Sequence, residues 1–478
     1  MSSDFPGVCL IGAGTSGVIA AKVFKEHHIP YDCFEKGSGI GGIWRFQNDN
    51  GMSTCYRSLQ INTSQRLMQL SDFPFPPSFD RSRLLRHDEV LRYFTAYAEH
   101  FKVTEHITFR TEVTHVKRLP DGTFAVDLQG PDGKATRHYD AVVVANGHHW
   151  DPKRVTFPGE FNGDLFHAHD YVAITDPVDL RDKRVLVVGM GNSAMDIAGE
   201  IAHPGQGARQ AFLAQRSGVY ILPKRIGRLD ADAGIWRNPM DPAPWWEVLL
   251  RRFVPKHLLL WAMDLFYETL LRFTVGKPSA VGLKDPAIRF HQAHPTLSSE
   301  LHNRLIQGDL IPKPTINRLA GDTVWFADGS AEKIDVIILA TGYQITFPFF
   351  ANDFISAPNN DLPLWYRIWD PRYPNLMFLA LVQPLCAVMP IAELQAILMA
   401  KFLTGQYHLP DAAVMQTEMM AYDRAMKSLY TKSTRHTIQI DCLEYSYHLR
   451  REMATGAKRA KAAGNTLPIP ASTSRMSL

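Results

Sequence analysis

The sequence is short of the residues that announce metal or disulfide chemistry. Only five cysteines, Cys9, Cys33, Cys55, Cys386 and Cys442, occur in 478 residues, each standing alone with no Cys-x-x-Cys pair. That spacing indicates neither a zinc site nor a paired redox disulfide, and unpaired thiols fit a reducing compartment such as the cytoplasm. An excess of one charge is missing too: 51 Lys and Arg stand against 48 Asp and Glu, a formal net charge of +3. With positive charge clustered only at Lys458, Arg459 and Lys461, a nucleic-acid footprint is not expected. The first residues lack the charged start and apolar core of a signal peptide and run directly into a strand. The stretch from Asn375 to Ala392 is uncharged, but Gln383, Pro384 and Pro390 interrupt it. A membrane helix needs about 20 predominantly apolar residues, so this stretch reads as protein core and no transmembrane anchor is expected. What remains is an ordinary globular composition, 45% hydrophobic and 21% charged, long enough for two or more packed domains.

The chain resembles itself. Gly7-Val8-Cys9-Leu10-Ile11 reads as a short buried strand, followed by Gly12-Ala13-Gly14-Thr15-Ser16-Gly17 and a helical stretch. Far downstream, Arg184-Val185-Leu186-Val187-Val188 leads into Gly189-Met190-Gly191-Asn192-Ser193-Ala194. Both are strand, glycine-rich turn and helix. A second pair echoes the first: Asp140 to Gly147 and Asp335 to Gly342 are each an acid, an apolar strand and a small-residue turn. Each follows an alternating, turn-rich segment (Thr123 to His138, Thr323 to Lys333) that predicts a β-meander. The expected fold is therefore α/β with two dinucleotide-binding, Rossmann-like domains, the second inserted into the first. Residues 1–175 and 336–465 form the first domain and 176–335 the second, with a helical insertion at about 225–294. That insertion is rich in Trp and Pro (Trp236, Trp245, Trp246, Pro239, Pro242, Pro244) and carries an apolar helical stretch from His257 to Leu271. It is expected to cap the second domain, with lining the substrate route or packing against a partner as the alternatives. Residues 466–478 are expected to be disordered.

The first turn has its full context. Gly12 permits the tight turn, Gly14 lets backbone approach a pyrophosphate, and Gly17 lets helix and strand pack closely. The pyrophosphate then meets free N–H groups at a helix start. After the strand Tyr31 to Phe34 comes Glu35, a carboxylate placed to accept hydrogen bonds from a ribose diol. The second turn has Ala194 as its third small residue, and its next strand, Gln210 to Ala214, ends in Gln215-Arg216-Ser217 rather than an acid. A guanidinium there grips a 2′-phosphate bidentately. The pair predicts FAD in the first site, on Gly12, Ala13, Gly14, Thr15, Ser16, Gly17 and Glu35. It predicts NADPH in the second, on Gly189, Gly191, Asn192, Ser193, Ala194, Arg216 and Ser217. No metal site is expected.

The segment Phe161-Asn162-Gly163-Asp164-Leu165-Phe166-His167-Ala168-His169-Asp170-Tyr171 resembles the FxGxxxHxxx(Y/F) fingerprint of flavin-containing monooxygenases, class B flavoprotein monooxygenases. Baeyer–Villiger monooxygenases usually carry Trp where this chain has Tyr171. Gly41-Gly42-Ile43-Trp44-Arg45 is similar to the family's flavin-flanking segment, and Asn62, in Leu59-Gln60-Ile61-Asn62-Thr63-Ser64, falls on its active-site asparagine. Asp72-Phe73-Pro74-Phe75-Pro76, Ala340-Thr341-Gly342-Tyr343 and Gln383-Pro384-Leu385 also fit. The resemblance covers roughly residues 5 to 405. It implies further cofactor contacts from Lys36, Gly42, Ile43, Trp44, Asn62, Thr63, Val113, Thr341 and Gln383, with Asn62 the catalytic residue. It also implies NADPH- and O2-dependent oxygenation of a soft nitrogen or sulfur on a small amine, indole or sulfide, through a C4a-hydroperoxyflavin. Two alternatives stay open: a Baeyer–Villiger enzyme acting on ketones, and a non-oxygenating FAD/NADPH redox protein. A homodimer is one expected assembly.

Overall fold

The strand Val8–Ile11 is buried at every position and pairs in parallel on both sides, Val8 opposite Tyr31 and opposite Ala141. The computed structural model describes residues 4–471, except 81–82, 228, 231, 233–236 and 430–436. The whole first sheet is parallel, in the order Leu376–Phe378, Ala141–Val144, Val8–Ile11, Tyr31–Phe34, Ile107–Thr108. A parallel sheet is covered on both faces, which is why its strands read as unbroken apolar runs. Val8 and Leu10 face helices, among them α1 (Thr15–Glu26) and α3 (His87–His100), with the four-residue α2 (Gln65–Met68) between these two in the chain. Cys9 and Ile11 face the predicted meander, Glu112–Arg118, Phe124–Gly130 and Gly133–Tyr139.

The second sheet repeats this plan. Its order is Asp164–His167, Val336–Leu339, Arg184–Val188, Gln210–Ala214, Leu310–Lys313, all parallel. Val185 and Val187 face α4 (Asn192–Ile201), while Leu186 faces Val324 and Phe326 of the second meander. The borders differ from those expected. Asp164–His167 lies before residue 176 and Val336–Leu339 after 335, yet they pair with each other, Asp164 opposite Val336. Gly159–Phe161 also pairs with Ile316–Gly321 of the second meander. The inserted domain thus takes in roughly residues 159–340, because a buried strand joins the sheet that completes its hydrogen bonds, whichever chain segment it follows.

Within the insertion, α5 spans Trp245–Phe253 and α6 spans Lys256–Thr274, so the predicted helix is present and longer; Trp236 lies outside the described residues. The inner face of α6 is polar where it docks: Asp264 holds His291 at 2.7 Å, and Glu268 accepts the Tyr220 hydroxyl at 3.0 Å. Its outer face leaves Trp261, Phe266 and Phe273 exposed. Helix α7 (Glu300–Gln307) then packs on α4.

The returning chain forms α8 (Val388–Leu403), buried at most of its positions and packed on α1 and α2, then α9 (Ala412–Leu429) and α10 (Cys442–Ala462). Two expectations fail here. Cys386 and Cys442, 56 positions apart, are joined in a disulfide, a pairing invisible to local spacing because α10 folds back onto the segment before α8. The tail is not loose at residue 466: His408 bonds the Thr466 carbonyl at 2.8 Å and Ile469 is buried. The remainder of that tail, 472–478, lies outside the described residues. Among the described residues, no helix is long and apolar enough to cross a membrane and no His, Cys, Asp and Glu cluster suits a metal ion.

Candidate functional site

The first turn passes from Val8–Ile11 into α1. A Cβ on Gly17 would lie 1.9 Å from the Gly12 carbonyl oxygen, so only glycine lets the helix cross the turn. Gly14 caps α1 without any side-chain acceptor, leaving the helix start to backbone donors. Gly41 N donates to the Ala13 carbonyl at 3.0 Å, which brings the turn Gly42–Trp44 onto the first glycine turn. Trp44 is part-buried beside the core. Glu35 is 4% exposed; Oε2 accepts from Ala13 N at 2.8 Å, and Oε1 from Gly37 N at 2.8 Å and Asn50 at 3.1 Å. A carboxylate offers about four acceptor sites, so Oε2 retains one beyond the bond from Ala13. Lys36 is paired with Glu112 at 3.0 Å, and Val113, next to it, is buried in the core that includes Phe34.

The second turn has the same build. Gly191 caps α4 without a side-chain acceptor, Ala194 is fully buried, and a Cβ on Gly189 would lie 2.3 Å from the Ala340 oxygen. Asn192 spends its side-chain oxygen on Leu297 N at 3.1 Å, so its side chain anchors the returning chain; Ser193 follows it in the first turn of α4. Beyond the strand Gln210–Ala214, Gln215 is buried while Arg216 and Ser217 are exposed. Lys284 Nζ donates to the Arg216 carbonyl at 3.2 Å, placing a second cation at the same rim. Lys284 was not anticipated: it is 68 positions away, and nothing local marks it.

Asn62 lies where the two domains meet. Just before it, Tyr56 OH donates to Asp196 at 2.7 Å and Ser58 to Glu200 at 2.6 Å, both acceptors on α4 of the inserted domain. Just after Asn62 and Thr63 comes α2, packed on α8 of the first domain. The Asn62 Oδ1 atom is buried with no hydrogen-bond partner. A buried acceptor left empty costs about 1–3 kcal/mol, which suits an atom awaiting a donor on a ligand.

Two further expected cofactor contacts lie outside both glycine turns. Thr341 follows a strand of the second sheet and gives its hydroxyl to the Lys153 carbonyl. Gln383 is in a short strand paired with Gln439–Ile440. The fingerprint residues have packing reasons of their own. A Cβ on Gly163 would lie 2.3 Å from the Asp335 oxygen, and Tyr171 is buried against Tyr56. His167 Nδ1 accepts from His169 N at 3.0 Å, and burial lowers its pKa to about 4, so the ring is neutral at pH 7.

Residues 6–460 match the sequence profile of the FMO-like family, described as flavin-binding monooxygenase-like. The chain belongs to this family. Among curated relatives of this flavin-binding monooxygenase, flavin-containing monooxygenase 5 of Oryctolagus cuniculus is 35% identical over 453 residues, covering 91% of this chain and 80% of the relative. Dimethylaniline monooxygenase [N-oxide-forming] 2 of Macaca mulatta is 31% identical over 464 residues, covering 94% and 83%. Among solved structures, S-allyl-L-cysteine S-oxygenase from Allium sativum superposes with a TM-score of 0.67 at 23% identity, covering 97% of this chain and 94% of that one. A steroid monooxygenase bound to NADP gives 0.69 at 19%, covering 98% and 100%. The latter two show the shared fold. This flavin monooxygenase is an oxidoreductase with FAD and NADPH as its cofactors.

Proposed function

We propose that this flavin monooxygenase oxygenates soft nitrogen or sulfur atoms of small amines, indoles or sulfides. The observation that carries the reading is the Asn62 turn at the seam of the two domains, with a buried, unpartnered amide oxygen. FAD, reduced by NADPH, supplies the activation of O2. The residues that would hold FAD are the turn Gly12 to Gly17, Glu35, and the segment Gly42-Ile43-Trp44. Those that would hold NADPH are Gly189, Gly191, the first turn of α4 and Arg216. Asn62 would orient its amide on the flavin edge and nicotinamide, while Trp44 and the packed seam keep water away. Tyr171 in the fingerprint supports nitrogen or sulfur oxygenation over attack on ketones, as do relatives named for N-oxide formation. In this reading the protein works in the cytoplasm as a homodimer, which light scattering of the purified protein checks.

The test is incorporation of ¹⁸O from labelled O2 into trimethylamine, indole, thioanisole or methimazole, with a cyclic ketone in parallel. Label in an N-oxide or sulfoxide is the expected result. Label only in a lactone would assign the Baeyer–Villiger reaction instead, and hydrogen peroxide alone with every compound would refute oxygenation. Asn62→Ala should still accept electrons from NADPH but lose product formation by about 10²–10³-fold, the usual effect of removing one preorganised hydrogen-bonding group from a dry site.

A further inference from the structure

Helix α2, which follows Asn62, is gripped at both ends by the insertion. At its start the Asp232 carboxylate accepts the Ser64 N–H at 2.6 Å. At its end Asn238 Nδ2 donates to the carbonyls of Gln69 at 2.8 Å and Arg66 at 3.3 Å. Both side chains are buried, with 4% and 7% of their surface exposed. The orientation of the Asn238 amide is set in turn by Met240 N, which donates to Oδ1 at 2.9 Å. The insertion is itself tied to α10, where Arg450 donates to the Pro239 carbonyl at 2.6 Å.

This grip bears directly on Asn62. On one side, Ile61 N donates to the Leu85 carbonyl at 2.9 Å. On the other, the Ser64 carbonyl accepts from Leu67 N and Met68 N at 3.0 and 3.1 Å while its N–H is held by Asp232. Asn62 and Thr63 are suspended between those two anchored residues, and one anchor is a carboxylate 168 positions away. Beside the turn Asn62 Oδ1 is buried without a hydrogen-bond partner, while the Ser64 side chain interacts with the Asp232 carboxyl. A buried acceptor left empty costs stability until a bound molecule supplies a donor, so the Asn62 amide points to a ligand while the Asp232 contact holds the turn.

We propose that Asp232 and Asn238 are positioning residues: through α2 they set the Asn62 amide toward the cofactors, and so govern how much NADPH oxidation ends in oxygenated product rather than hydrogen peroxide. The inference rests on the role given to Asn62 above. The insertion is then more than a cap on the second domain, since it contacts the first domain at the turn that carries the chemistry.

Asp232→Ala, Asp232→Asn and Asn238→Ala in the full-length, FAD-loaded protein test this. Amide hydrogen exchange of the peptide covering residues 61–69 reads the grip without any turnover. It should quicken by about tenfold in Asp232→Ala and in Asn238→Ala, the scale of one lost hydrogen bond, with little change in Asp232→Asn, which keeps an acceptor. Hydrogen peroxide formed per NADPH should rise in the same order, with kcat for product falling and KM for NADPH unchanged. Unaltered exchange in both alanine variants would overturn the grip. Quickened exchange with wild-type peroxide yield and kcat would overturn the positioning role. Should wild type release no oxygenated product, the proposed function fails on its own, and exchange still decides the grip. If Asp232→Ala does not fold, Asn238→Ala carries the same decision, with Asp232→Asn as its control.

Discussion

Replacing Gly14 by alanine separates what the fold needs from what a ligand needs. The backbone of Gly14 has φ −62°, open to any residue, and an added Cβ would find only the Gly42 Cα, at 3.7 Å. That is ordinary van der Waals contact, so the protein without cofactor should lose no more than about 0.5 kcal/mol, the range of an unstrained substitution. Gly17 is the contrast: its Cβ would overlap the Gly12 carbonyl at 1.9 Å, and forcing backbone apart there should cost about 1–3 kcal/mol or more of stability. If Gly14 is glycine because a pyrophosphate passes it, one methyl group intrudes on the ligand alone. Taking the same overpacking scale, FAD affinity should fall by about 5- to 150-fold. The assay is fluorescence titration of deflavinated Gly14→Ala with FAD, beside its melting curve. Wild-type FAD affinity would refute the placement of the pyrophosphate, and a melting temperature as low as that of Gly17→Ala would refute the claim that the fold leaves room.

Other expected outcomes follow from single contacts. Arg216→Ala should raise KM for NADPH by about 10- to 150-fold, the worth of a charge-assisted bond, and leave that for NADH unchanged; equal loss with both would remove the phosphate role. Reducing the Cys386–Cys442 disulfide, which closes a 56-residue separation, should destabilise the first domain by about 4 kcal/mol in the chain-entropy account; an identical urea midpoint with and without reductant would contradict it. His167, depressed to about 4 by burial, resists protonation when folded, whereas the unfolded ring takes a proton below about 6.5. Its contribution to stability is therefore complete above pH 6.5 and lost as pH falls toward 4. Urea midpoints of wild type and His167→Gln should converge over that interval, and parallel curves would exclude the effect.

Local pattern by itself determined both glycine turns, the strands before them and the places of Glu35 and Arg216 after the next strands, and hence two dinucleotide folds in one chain. Each is legible because a tight turn, a buried strand and a helix start impose their demands on adjacent residues. The meanders were legible too, from alternation and turn residues. Which strand belongs to which sheet was not: Asp164–His167 and Val336–Leu339 pair across the insertion, and apolar runs carry no address. Only the folded chain decided that Cys386 meets Cys442, that Lys284 stands beside Arg216, and that Asp232 holds Ser64. Those contacts join residues far apart in the chain, where spacing exerts no constraint and geometry is set by how whole elements pack.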